Sequence, residues 1–303
     1  MVAENQPSPN QTKSPILIGT SGYDYPEWKG VFYPPELKRA DFLSYYATQF
    51  NAVELNNTFY NMPTAERLLS FYDRSEGKLD FSIKANRLLT HEITPDWQSA
   101  AEAFKQALRP LQEKDRLCAV LFQFPQSFHY TNENRIYLAR LIADFEGFPV
   151  IIEFRHTEWI RESVFEGLEK RGAGLAYCDM PQLRNLPDGK TVKSPFIGPT
   201  AYLRLHGRNA GAWYAHAPKE QTSIISPHAN GAPATYANAT SPETNSSARY
   251  CYDYSDSELE SFVPVISKAM SEGKKTQIFF NNHPDGSGAK NARRLKDLLS
   301  PNP

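Results

Sequence analysis

The stretch Val150-Ile151-Ile152-Glu153-Phe154-Arg155-His156 constrains the fold more than any other. Three β-branched residues run directly into an acid and, beyond one aromatic, a cation and an imidazole. A continuous apolar run, without the alternation of a half-exposed strand, suits a strand buried on both faces of a parallel sheet. Its polar residues gather at the carboxyl end. The design recurs at residues 52–56, 81–84, 120–123, 175–179, 202–206 and 278–282. Helix-like segments separate the repeats, as where Phe42, Leu43, Tyr46 and Phe50 fall at helical spacing. This alternation predicts an α/β chain folded as a single-domain, TIM-like (β/α)8 barrel whose site lies at the strand ends.

Strands are expected near 16–20, 52–56, 80–84, 118–124, 149–155, 174–179, 200–206 and 276–281. Helices are expected over 37–50, 97–112, 132–145, 159–171, 256–270 and 288–299, and from Thr64, a capping residue, to Tyr72. The crossover at 180–199 carries four prolines and should be irregular. Residues 1–14 read as a disordered tail and 15–303 as the barrel. After strand seven comes a long insertion, 208–249, rich in Ala, Ser, Thr, Asn and Pro, with Trp213, Tyr214 and His216 near its start. It leaves the functional end of the barrel, so a lid and a tolerated surface loop both remain open.

The 303 residues carry a net charge of −1, which implies no global attraction to nucleic acid or membrane. The cysteines Cys118, Cys178 and Cys251 are odd in number and lack metal-type spacing. Cys118 and Cys178 fall in or beside apolar strands and read as small core residues. No apolar leader or bilayer-length segment is evident, and the expectation is a soluble cytoplasmic protein.

Several short motifs then stand in order. They are Gly19-Thr-Ser-Gly-Tyr23 with Trp28 and Phe32-Tyr-Pro34, Glu54-Leu-Asn-Asn-Thr-Phe-Tyr60, and Lys84 with Thr90-His91. Gln123-Phe-Pro125, Glu153-Phe-Arg-His156 with Trp159, Arg204-Leu-His-Gly207, and Phe280-Asn-Asn282 with Ala289, Asn291 and Ala292 follow. Each is weak alone; in sequence, from Ile16 to Leu299, the chain resembles the YecE-like family, domain of unknown function 72. The resemblance implies a TIM-like barrel and no particular reaction. The insertion is where the chain departs most from a compact member.

A barrel needs apolar strands to fill its layers, but it does not need charges at their exits. Glu54, Lys84, Glu153, Arg155, Asp179, Arg204 and His206 are expected to ring one mouth, where buried charges must be paired. Strand alternation puts Glu153 with Arg155, Glu54 with Asn56, and Arg204 with His206 on shared faces. His156 faces elsewhere and serves equally well as a turn residue packed on Trp159. The first chemistry is metal-independent acid–base work on a small anionic substrate, phosphorylated or carboxylated, with no cofactor. Glu153 or Glu54 would be the base, His206 its acid partner, and Lys84, Arg155 and Arg204 would hold the anion. Asn56, Gln123, Tyr23, Trp28, His91, Asp179, Asn281 and Asn282 complete the expected substrate shell.

The second chemistry is a divalent metal on Glu153, Asp179 and His206, as in xylose-isomerase-like barrels, serving an isomerase or hydrolase. It is weakened because the last strand offers Asn281-Asn282 where those barrels place a carboxylate. A third, a Schiff base on Lys84, needs a depressed lysine pKa that nearby carboxylates would oppose. Outside catalysis, the aromatic loops (Tyr25, Phe59, Tyr60, Trp213 and Tyr214 among them) could serve a nucleotide, nucleic-acid or carbohydrate binder. The near-zero net charge disfavours an extended nucleic-acid track.

Overall fold

A computed structural model describes residues 16–187, 196–213 and 247–300. The expected N-terminal tail, Tyr214, His216 and residues 214–246 of the insertion lie outside the described residues. Eight strands form the core: β1 (Ile16–Thr20), β2 (Ala52–Leu55), β3 (Asp80–Lys84), β4 (Leu117–Gln123), β5 (Val150–Glu153), β6 (Gly174–Asp179), β7 (Thr200–Leu205) and β8 (Lys275–Phe280). Every ladder is parallel, in the order β1-β8-β7-β6-β5-β4-β3-β2. The barrel read from the sequence is therefore the observed fold.

Side chains close the seam between β1 and β2. The Asn51 amide donates to Ile16 O and accepts from Ile18 N, both at 2.9 Å. The Tyr46 hydroxyl accepts from Thr20 N at 2.8 Å and donates to Ala52 O at 3.0 Å. A short parallel bridge, Ser21 to Glu54, finishes the edge. Such close approach requires Gly19, because a Cβ there would lie 1.9 Å from Ala52 O.

Ala52, Ala119, Leu121, Ile151, Ala176, Tyr202 and Phe279 fill the barrel's inside as a cluster separate from the outer core. Small alanines leave room for Tyr202 and Phe279, whose rings lie 5.3 Å apart. With a period of two, these inner positions set which polar residues enter the mouth: Glu54 follows Ala52, Glu153 follows Ile151, Cys178 follows Ala176 and Arg204 follows Tyr202.

The outer helices are α1 (Phe42–Gln49), α2 (Ala65–Arg74), α3 (Trp97–Glu113), α4 (Asn132–Asp144), α5 (Glu162–Glu169), α6 (Asp256–Glu260), α7 (Val263–Ser271) and α8 (Ser287–Leu299). Thr64 caps α2 through Arg67 N, as expected from the sequence. The single helix expected over 256–270 is two, because Pro264 lacks an N–H and takes the first turn of a new helix, α7. The described parts of the 180–199 crossover contain no helix. Among the described residues, no helix is long and apolar enough to cross a membrane.

Candidate active site

Arg204 is the centre of the mouth. Its Nε donates to Glu54 Oε2 at 2.9 Å and its Nη2 to Glu54 Oε1 at 2.6 Å. Its Nη1 reaches Glu153 Oε2 at 2.6 Å. Tyr202 stands one layer below and donates to Glu54 Oε2 at 2.7 Å, while its oxygen lies 2.6 Å from Ser82 Oγ. Arg204, Glu54 and Glu153 are 1%, 0% and 0% exposed, so this pairing is sealed from water. Burial opposes ionisation of Arg204 and Glu153, and their pairing overcomes it. Burial alone would raise the Glu153 pKa, but Arg155 and Arg204 hold it well below the carboxylate range.

Arg155 continues the network outward. Its Nε donates to Glu153 Oε1, and its Nη2 lies 3.1 Å from His206 Nε2. A guanidinium only donates, so Nε2 accepts and the ring proton sits on Nδ1. That tautomer favours the amide oxygen of Asn281 at the amide position 3.0 Å from Nδ1. Burial, then Arg155 and Arg204, push the His206 pKa well below the usual imidazole value. His206 is thus a neutral prop for Arg155, not the acid partner expected from the sequence.

Lys84 ends β3 beside this network. Its Nζ sits 4.4 Å over the Phe59 ring. Among the described residues no carboxylate lies within ion-pair distance of it, because the neighbouring acids are already engaged by arginines. Burial and Arg204 lower its pKa to about 7; Glu153 and Glu54 oppose the shift only partly. The sequence-based objection to a low lysine pKa assumed free carboxylates, and here they are clasped.

Other expected residues fall elsewhere. Asp179 is a correction: it follows Tyr177 on the outward face of β6. It takes the fork of Arg208 at 2.9 Å and the Tyr254 hydroxyl at 2.7 Å. Arg208 also reaches Glu258 at 3.0 Å, so these groups tie together the described flanks of the insertion. Tyr23 and Trp28 are packing residues, 7% and 0% exposed, and Trp28 donates to His283 O at 2.7 Å. Asn282 binds Tyr252 O and Asn291, each at 2.8 Å, and joins β8 to α8. Arg204, expected to hold substrate, has Nε and both Nη atoms committed to Glu54 and Glu153.

Gln123 remains at the end of β4, paired in register with Glu153, but its amide donates to Phe124 O at 2.9 Å. Asn56 ends β2 with Oδ1 buried and unpartnered, and Ser21 Oγ at the end of β1 is the same. His91 stands at the rim with its ring edge-on to Phe59, 4.7 Å away. His156 caps the turn at residues 157–159 through Glu158 N at 3.2 Å.

The metal set expected from the sequence is not assembled, since Asp179 faces away. Glu153, Cys178 and His206 do bring ligand atoms within 4.8 Å of one another. This set suits a divalent cation poorly. Glu153 already accepts from two guanidinium groups, His206 Nε2 accepts from Arg155, and burial, with Glu153, raises the Cys178 thiol pKa well above its usual value. Tyr202 and Ser82 were missed from sequence, although they share an inner face with Arg204 and Lys84; Cys178, read only as a core residue, stands on the inner face of β6 with Ala176. A separate groove of about 430 Å³ between α4 and α5, lined in part by Ile136, Trp159 and Val164, shares no residue with the mouth.

A family model described as "Protein of unknown function DUF72" matches residues 17–303. The chain is similar to the UPF0759 protein YunF of Bacillus subtilis (strain 168), at 26% identity over 293 residues, covering 94% of each chain. It is similar to the crystal structure of a DUF72 family protein from Thermotoga maritima, with 30% identity and a TM-score of 0.76 over 94% of this chain and 98% of that one. A DUF72 family structure from Enterococcus faecalis, 23% identical with a TM-score of 0.73 over 95% and 96% of the two chains, shares the fold.

Proposed function

The chain belongs to the DUF72 family, and from that premise we propose that it is an enzyme doing metal-independent proton-transfer chemistry on a small anionic substrate at the strand ends. One observation carries this reading: Lys84 and Arg155 are the cations of the mouth with capacity left, while Arg204, Glu54 and Glu153 satisfy one another. Arg155 Nη1 makes no hydrogen bond among the described residues, and the side chain is 13% exposed. A phosphate or carboxylate oxygen fits that N–H edge.

The roles follow from the charges. Arg204 locks both carboxylates and keeps the barrel top rigid. Glu153 and neutral His206 orient Arg155, which holds the anion. Lys84, with its pKa of about 7, offers a neutral amine near neutral pH and takes the substrate proton. The base role moves from Glu153 to Lys84, because a carboxylate hydrogen-bonded to two guanidinium groups is a weak proton acceptor. Calorimetric titration with inorganic phosphate tests the reading. Arg155→Gln should weaken binding roughly ten- to a hundred-fold, the loss of one charged hydrogen-bonding group. Equal affinity in the variant, or no binding to either protein, contradicts it.

A further inference from the structure

We propose that Lys84 is a nucleophile that forms an imine with a carbonyl substrate carrying an anionic group, so that the substrate class is an α-oxo or aldehydic acid or phosphate. This rests on the anion site proposed above and names its substrate; on such a substrate Lys84 Nζ bonds to carbon in place of acting as the base. The ammonium form of a lysine is ordinarily secured by a carboxylate, and the carboxylates at this mouth are held by Arg204 and Arg155. Lys84 instead has the Phe59 ring 4.4 Å from Nζ, a cation–π contact that replaces only part of what a carboxylate partner and water would give the ammonium. It lies on the inner face of β3, two residues after Ser82, which meets Tyr202 across the barrel at 2.6 Å. That placement sets the stem of the side chain on the barrel wall, at the end of β3.

Arg155, from β5 and its following residues, would hold the anionic end and leave the carbonyl carbon for Nζ. In the first step the amine lone pair attacks that carbon, forming the C–N bond, and the carbonyl oxygen takes up a proton to give a carbinolamine. The nitrogen loses one proton, the hydroxyl leaves with another as water, and the imine remains. No oxidant or reductant is needed. The iminium is then an electron sink for the adjacent carbon. Asn56 Oδ1 and Ser21 Oγ, buried at neighbouring strand ends without partners, are hydrogen-bonding groups of the kind a bound oxo acid would satisfy.

The test is reductive trapping on the full chain at pH 7 with glyoxylate and cyanoborohydride, which delivers hydride to the imine carbon. Peptide mapping then compares carboxymethylation at each lysine. Lys84 should be modified roughly ten- to a hundred-fold faster than surface lysines, since far more of it is neutral at that pH. Glycolate, which has the anion and no carbonyl, should slow labelling of Lys84 and of no other lysine. Labelling of Lys84 at the surface rate, with glycolate still binding by calorimetry, overturns the imine and leaves the anion site standing. Labelling at the surface rate with no glycolate binding overturns both. Lys84→Arg, which keeps a cation and removes the nucleophile, should bind glycolate and give no adduct at position 84.

Discussion

Arg204 reaches across the barrel to clasp Glu54 with a two-pronged fork, Nε to Oε2 at 2.9 Å and Nη2 to Oε1 at 2.6 Å. The two residues are 150 positions apart, on β7 and β2. The fork does more than join strands. By pairing with Glu54 and, through Nη1, Glu153, it sets a positive charge against the carboxylates that would otherwise hold Lys84 as an ammonium.

Arg204→Met leaves two carboxylates buried without their partner. We expect a loss of roughly 3–5 kcal/mol in urea unfolding at neutral pH. The deficit should shrink as pH falls towards 4, because the stranded acids can then take up protons. A variant as stable as the wild type would remove the fork from its central place.

The wild type should respond to acid in the opposite sense. The folded-state pKa of Glu153 is depressed, so its contribution is complete above the unfolded carboxylate value of about 4.3 and is lost as pH falls below it. Urea midpoints measured between pH 7 and pH 3 should fall in that window. Glu153→Gln should flatten the fall at the cost of lower stability at pH 7.

At the seam, Gly19→Ala should prevent folding or cost several kcal/mol, since the new methyl would meet Ala52 O at 1.9 Å. Tyr46→Phe deletes the hydroxyl that serves Thr20 N and Ala52 O and should cost roughly 1–3 kcal/mol. Gly167→Ala is the control. It lies within α5 with Arg171 Nη1 no closer than 3.6 Å to the new Cβ, and should gain roughly 0.5–1 kcal/mol. Thermal unfolding of the three variants gives the order.

The seam also shows where reading the sequence stops. Each strand was legible because its apolar run ends in polar residues, as Ile151-Ile152-Glu153 does. Nothing local marks Asn51 or Tyr46 as substitutes for a missing ladder; their roles exist only once β1 and β2 meet. In the site, Glu54, Glu153, Arg155, Arg204 and His206 were legible as charges at strand exits, and the structure joins them in one network. Asp179 was misplaced because β6 was read by its polar end without fixing which face points inward. The inner face is Ala176 and Cys178, which puts the carboxylate outside with Arg208. The division of labour among the charges was not legible, because it depends on which partner each guanidinium reaches.

Lys84→Met should stabilise the protein most below pH 7, where the wild-type lysine must be charged in an unfavourable setting. The folded value is about 7 and the unfolded one about 10.4, so the unfolded chain binds more protons between them and wild-type stability rises with pH across that window. The advantage of the variant should therefore fade above about pH 10. Paired urea titrations of the two proteins at pH 6, 8 and 10 test this.

The most direct measurement is the titration of Lys84 itself, followed by NMR of its labelled Cε, with Lys84→Arg to assign the signal. The account predicts a midpoint near 7, rising when phosphate is added, because a bound anion favours the ammonium. A midpoint near 10.4 that phosphate does not move would contradict it: Lys84 would then be an ordinary cation and the mouth would lack its neutral amine.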